Sequence, residues 1–261
     1  TLFVDLEAGD LAVEAWSGDT MRPKTWPQCR DFAVYIGGPN PALRDEQPYS
    51  QAHYDAVCER FGNPTVLDQY ETVFIDSITV AARLCLQWCK GQPQAQSDRT
   101  GKPDTRGAYG LHGQEMIAWL THWQHTRNKN IWFVGILDEK VDDFNRKVFV
   151  PQIDGSKTAL ELPGIVDQVI TLADMVSGDT RYRAFVNHTL NEWGYPAKDR
   201  SGRLDTIEEP HLGRLMDKIL KPAKPAVDRL DYVCPEPDPS RDGTTEPTSR
   251  HANPMMAQST E

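Results

Sequence analysis

Two short apolar runs, each closed by an acidic residue, hold the side chains best placed for chemistry. The first is Thr1-Leu2-Phe3-Val4-Asp5-Leu6-Glu7, and the second is Thr72-Val73-Phe74-Ile75-Asp76-Ser77. Both are rich in β-branched and aromatic residues and read as buried parallel strands. Open α/β sheets bind ligands at the carboxyl ends of their strands, where Glu7 and Asp76 fall. A magnesium–nucleotide site needs one carboxylate to orient the metal and another to activate water. The same pattern also fits two core strands whose terminal carboxylates are simply solvated.

The elements that must position these residues can be read along the chain. Glu14 to Gln28 is irregular, with Trp and Pro. Asp31 to Ile36 reads as a short strand closed by Gly37-Gly38-Pro39-Asn40-Pro41. Ser50 to Phe61 has helical spacing with Ser50 as N-cap. Ser77 to Lys90 is a helix apolar nearly all round, hence deeply packed. A polar loop follows from Gly91 to Gly110, then an amphipathic helix from Leu111 to Arg127. Asn130 to Leu137 is another buried strand, and Asp138 to Pro151 a hairpin. Asp167 to Leu172 and Arg181 to Val186 are further strands. Alternation of strands and helices predicts an α/β fold with a mostly parallel sheet flanked by helices. Residues 1–220 are expected to form the core, and 221–261, rich in Pro, Ser, Thr and acidic residues, a disordered tail.

Composition sets the limits. The 261 residues are 39% hydrophobic and 25% charged, with net charge −10, enough length for a real core. An acidic chain is not drawn to nucleic acid in bulk, although a local basic groove remains compatible with that charge. No apolar stretch approaches the roughly 18 residues of a membrane span, and no secretory signal is visible, so no membrane partner is expected. The five cysteines form no CxxC pair and read as buried thiols in a reducing cytoplasm. Cys85 and Cys89 share one helix face.

The order of parts resembles the RecA-type ATPase core. Phe3-Val4-Asp5-Leu6-Glu7 is similar to the strand whose glutamate activates water, which implies that role for Glu7. Val73-Phe74-Ile75-Asp76-Ser77 resembles the Walker B strand, which implies magnesium on Asp76, through a water or Ser77. The middle of the chain resembles phage-encoded RecA-like ATP-binding proteins of the AAA-type P-loop class, some of them single-strand annealing recombinases. Asp104-Thr105-Arg106-Gly107-Ala108-Tyr109-Gly110, Met116-Ile117-Ala118-Trp119-Leu120, Phe133-Val134-Gly135, Pro151-Gln152-Ile153-Asp154-Gly155-Ser156-Lys157, Leu162-Pro163-Gly164-Ile165-Val166-Asp167 and Pro196-Ala197-Lys198-Asp199-Arg200-Ser201-Gly202 carry this likeness.

The resemblance implies ATP and magnesium as ligands, a RecA-like P-loop NTPase core, and recombination or replication on single-stranded DNA as a homo-oligomer in a bacterial host's cytoplasm. Two departures stand out. No GxxxxGK[S/T] phosphate loop occurs in the sequence, so the first strand and its loop are expected upstream of Thr1. The place of a phosphate-sensing glutamine holds Gly135-Ile136-Leu137, with Asp138 and Glu139 the nearest polar alternatives.

The likeness also implies roles for cations. Lys157 or Arg106 would reach a neighbouring subunit's phosphate, and the arginine fork suits phosphate better. Lys90, Arg99 and Lys102, with Arg106, would contact DNA phosphates, and Tyr109 would stack on a base. A solvated lysine is the plain alternative for Lys157. Lys198, Arg200 and Arg203 read as a surface turn. His112, His122 and His125 read as solvated helix residues, not metal ligands, and Trp88, Trp119 and Trp123 as packing. Two other functions fit the same sequence: a non-catalytic assembly partner on this scaffold, and a helicase or packaging motor.

Overall fold

The two carboxylate-ended runs fold as neighbouring strands. The computed structural model describes residues 1–9, 16–97 and 100–221, with the backbone alone at 156 and 157. Strands β1 (Leu2–Asp5), β2 (Asp19–Met21), β3 (Thr72–Asp76) and β4 (Asn130–Val134) form one parallel sheet in the order β2-β1-β3-β4. Residues 1–220 make one compact unit.

Alternation gives the sheet two unlike faces. Leu2, Val4, Val73 and Ile75 are buried on one face. Against them pack α1 (Trp26–Gly37), α2 (Gln51–Phe61), α3 (Ile78–Lys90) and α4 (Thr105–Gln124), through Val34, Val57, Ala81, Cys85, Met116, Trp119 and Leu120. On the other face Phe3, Phe74 and Trp132 stand in register across three strands and are only partly covered. The Trp16 ring meets Phe3 edge-on at 5.7 Å. Parallel sheets usually carry cover on both faces, so this aromatic row is unusual.

Side chains cap the helices as their sequences dictate. Thr25 accepts the Gln28 N–H at the start of α1, with Pro27 in the first turn. Ser50 accepts the His53 N–H and Ser77 the Val80 N–H. Three polar contacts pin the helices together. The Trp119 indole donates to the Cys29 carbonyl at 3.1 Å, the Trp26 indole donates to Glu115 at 2.7 Å, and Arg30 pairs with Glu115 at 3.3 Å. Cys85 and Cys89 do share a face, with sulfurs 3.9 Å apart.

Beyond the parallel sheet the strands are antiparallel. β5 (Leu137–Val141) and β6 (Lys147–Pro151) form the expected hairpin. After α5 (Ser156–Ile165) come β7 (Gln168–Val169), β8 (Thr171–Ser177), β9 (Thr180–Val186), β10 (Lys198–Asp199), β11 (Ile207–Glu208) and α6 (Leu212–Leu220). β7 pairs with β10, and β9 lies between β8 and β11. The expected parallel sheet flanked by helices is thus the four-stranded one, and the later strands add smaller antiparallel sheets beside it.

Three other expectations change. Asp31 to Ile36 is not a strand but the second half of α1. Extended back to Trp26, the run buries Trp26, Cys29, Ala33, Val34 and Ile36 at helical spacing. The stretch from Glu14 holds β2, a three-residue edge strand, within its described part. The loop from Gly91 ends early, because α4 starts at Thr105 under its N-cap Asp104. The expected tail beyond Lys221 lies outside the described residues. No described helix is long and apolar enough to cross a membrane.

Candidate active site

The carboxyl ends of β1 and β3 bring the predicted acidic residues together. Asp5 and Asp76 are register partners, and the Leu6 N–H donates to the Asp76 carbonyl at 2.6 Å, carrying the pairing one residue further. The chain then turns, and Glu7 comes over the start of α3. The Ser77 hydroxyl donates to Glu7 Oε1 while accepting the Val80 N–H at 3.3 Å. Ser77 is buried and Glu7 exposed, so an accessible carboxylate is held by a fixed hydroxyl. The Asp76–Ser77 peptide is cis.

A third carboxylate lies beneath. Asp5 is 2% exposed. Its Oδ1 accepts the N–H groups of Glu7 at 3.1 Å and Gly9 at 3.0 Å, while Arg22 Nε lies 3.8 Å from Oδ2. Gly9 is close to both strand ends: a Cβ there would lie 3.7 Å from Asp76 Oδ2 and 4.0 Å from Asp5 Oδ1. Burial, followed by the charges of Glu7 and Asp5, raises the Asp76 carboxyl above its ordinary value of 3.8. Three carboxylates therefore converge where β1 and β3 end.

Gly135 follows β4 beside these ends. A Cβ there would meet Ile78 Cγ2 at 2.8 Å, so no glutamine fits in this backbone arrangement. The Ile136 N–H donates to Thr79 Oγ1 at 3.2 Å, the polar contact that occupies the position instead. Sequence reasoning missed Asp5, Arg22 and Thr79 as members of this region. For Asp5 a signal existed, an acidic residue two before Glu7 and four before a glycine.

The remaining expected site residues are spread out. Arg106 is exposed in the first turn of α4, and among the described residues no hydrogen bond or ion pair joins its side chain to Glu7 or Asp76. Lys157 is the second residue of α5. Lys90 closes α3 and is exposed, Lys102 is exposed in the following loop, and Arg99 lies outside the described residues. Tyr109 is 41% exposed on α4, and its ring edge lies 3.7 Å from where a Cβ on Gly155 would sit.

Two histidines read as solvated are not. His112 is fully buried with Nε2 3.2 Å from the Ala82 carbonyl, and His122 stacks on Tyr49 at 4.4 Å. The basic turn is also more than surface, since Lys198 donates to the Pro163 and Val166 carbonyls at 2.5 and 2.6 Å.

A parallel α/β sheet whose adjacent strands end in Asp5 and Asp76, with Glu7 just beyond them bonded to the N-cap serine of the next helix, is consistent with a P-loop-like domain. Residues 1–201 match the family model described as AAA domain, and the chain belongs to that family. No curated protein and no solved structure matches it. Membership points to nucleotide binding and an ATPase-like function, with magnesium as the usual companion of the nucleotide.

The donors fit that metal in kind. Glu7, Asp76 and Ser77 offer only oxygen, and the raised Asp76 carboxyl is relieved by a hard cation. Among the described residues no three His, Cys, Asp or Glu side chains are arranged to cage a metal. Magnesium needs no such cage, because it is ordinarily held by one or two carboxylates, waters and phosphates.

Proposed function

We propose that the protein is a magnesium-dependent ATPase whose water-activating group is Glu7 and whose metal-orienting group is Asp76. The contact of Ser77 with Glu7, across the strands that end at Asp5 and Asp76, carries this reading. Glu7 is exposed and would take a proton from water at Oε2 while Ser77 holds Oε1. Asp76 would orient the hydrated metal, with Ser77 fixed as the helix cap beside it. Magnesium, when bound, would neutralise charge building on the phosphate oxygens.

The phosphate cradle is proposed to come from a segment upstream of Thr1. Two observations support it. The outer edge of β4 has no strand partner among the described residues, and the row Phe3, Phe74 and Trp132 is only partly covered. A strand followed by a helix would satisfy both.

We further propose a phage-type protein of DNA recombination or replication that assembles with copies of itself on single-stranded DNA in the host cytoplasm. The exposed Lys90, Lys102 and Tyr109 support DNA contact, and exposed Arg106 supports action toward a neighbour, as Lys157 at the start of α5 also would. A non-catalytic assembly partner is the second reading, favoured by the lack of GxxxxGK[S/T] in these residues.

The test is to read the coding sequence upstream of the Thr1 codon, express the complete frame and measure ATP hydrolysis with and without magnesium and single-stranded DNA. Turnover that needs magnesium and falls with Glu7→Gln supports the ATPase. An upstream frame without a phosphate loop, or no turnover, leaves the assembly partner.

A further inference from the structure

We infer that Asp5 is a positioning residue for Glu7, acting as an acceptor that clamps the turn on which Glu7 sits. This rests on the reading of Glu7 as the water-activating group. Glu7 lies past the end of β1 on an exposed turn, where a side chain ordinarily samples many directions. Here one buried oxygen, Asp5 Oδ1, gathers the N–H groups at both ends of that turn, at 3.1 Å from Glu7 and 3.0 Å from Gly9. Its second oxygen faces Arg22, with Nε at 3.8 Å. The carboxylate therefore cannot rotate away without giving up both sides at once. Ser77 fixes the far end of the Glu7 side chain, and Asp5 fixes its backbone. A general base gains from such two-point fixing because misplacement by about 1 Å costs large factors in rate. Ala8, between the two clamped amides, has φ 57°, the left-handed conformation that residues with a Cβ seldom adopt. The clamp offsets that strain.

Asparagine at position 5 keeps an acceptor at the same place and removes the charge, whereas alanine removes the acceptor. Amide exchange at Glu7 and Gly9 is measured by NMR in the wild-type chain, Asp5→Asn and Asp5→Ala. Protection in Asp5→Asn stays within about threefold of wild type, and Asp5→Ala loses at least about tenfold at these two amides. In the complete protein kcat for ATP falls about tenfold in Asp5→Ala with KM nearly constant, and Asp5→Asn restores it.

Unchanged protection at Glu7 and Gly9 in Asp5→Ala overturns the proposal. Equal loss in Asp5→Asn also overturns it, because the charge and not the acceptor would then be the agent. If Asp5→Ala does not fold, Asp5→Asn decides alone: retained protection supports the clamp, and lost protection removes it. Absence of ATP turnover in wild type defeats the functional reading only, since the amide measurement still judges the clamp.

Discussion

Asp5 and Asp76 stand opposite one another on adjacent parallel strands, and alternation directs both to the aromatic face of the sheet. Their proximity gives Asp76 a pH signature. Its folded value is raised by burial, then by Glu7 and Asp5, so the folded state binds more protons than the unfolded state just above pH 3.8. Stability is therefore lost as pH rises from there through the folded value. Asp76→Asn should raise the thermal midpoint at neutral pH, and the gain should vanish toward pH 3.8. Thermal melts of both proteins between pH 4 and 8 check this, and a constant difference across the range would count against it.

Glu7 and Ser77 should separate chemistry from folding. Glu7→Gln is expected to lower kcat for ATP about 10²-fold or more, with little change in stability because the residue is exposed. Ser77→Ala removes the α3 cap and is expected to cost about 1 kcal/mol, read from urea unfolding. It also frees Glu7, so it should lower kcat as well.

His122 predicts acid sensitivity. Burial pushes its value down from 6.5 to about 4, with the Ala33 carbonyl at 3.2 Å opposing the shift. The ring is neutral in the folded state, so its contribution is fully present above pH 6.5 and is lost as pH falls toward 4. The loss should be on the order of 2 kcal/mol near the lower end. Denaturant midpoints for wild type and His122→Gln across pH 4–7 test it: the variant should show a flatter profile.

Gly135 should tolerate no side chain. A Cβ would lie 2.8 Å from Ile78 Cγ2, so Gly135→Ala is expected to destabilise by about 1–3 kcal/mol. Adding Ile78→Ala to it should recover part of the loss. Urea unfolding of the single and double variants measures both effects.

The strands that carry the candidate site were legible in the sequence. The runs ending at Asp5-Leu6-Glu7 and Asp76-Ser77 are apolar enough to be strands, and their order allowed neighbouring ends. The contact between Glu7 and Ser77 was not legible, because it depends on the register of β1 against β3 and on the turn at Ala8. Strand β2 escaped because Asp19-Thr20-Met21 is short and polar, and its pairing with β1 is a long-range event. The second half of α1 misled because Asp31 to Ile36 in isolation has strand composition, and only Trp26 and Cys29 reveal the helical period. His112 and His122 looked solvated because helical spacing alone does not say what packs on that helix.

The partly covered row Phe3, Phe74 and Trp132 has an optical consequence. An indole shielded from water emits at shorter wavelength than one in contact with it. Trp26, Trp119 and Trp123 are already sealed in the interior. Any segment that comes to rest on this face dries Trp132, together with Trp16 against Phe3, without disturbing those three. This face of the sheet thus carries its own fluorophores, and a segment that binds there would be read as a blue shift without any added label.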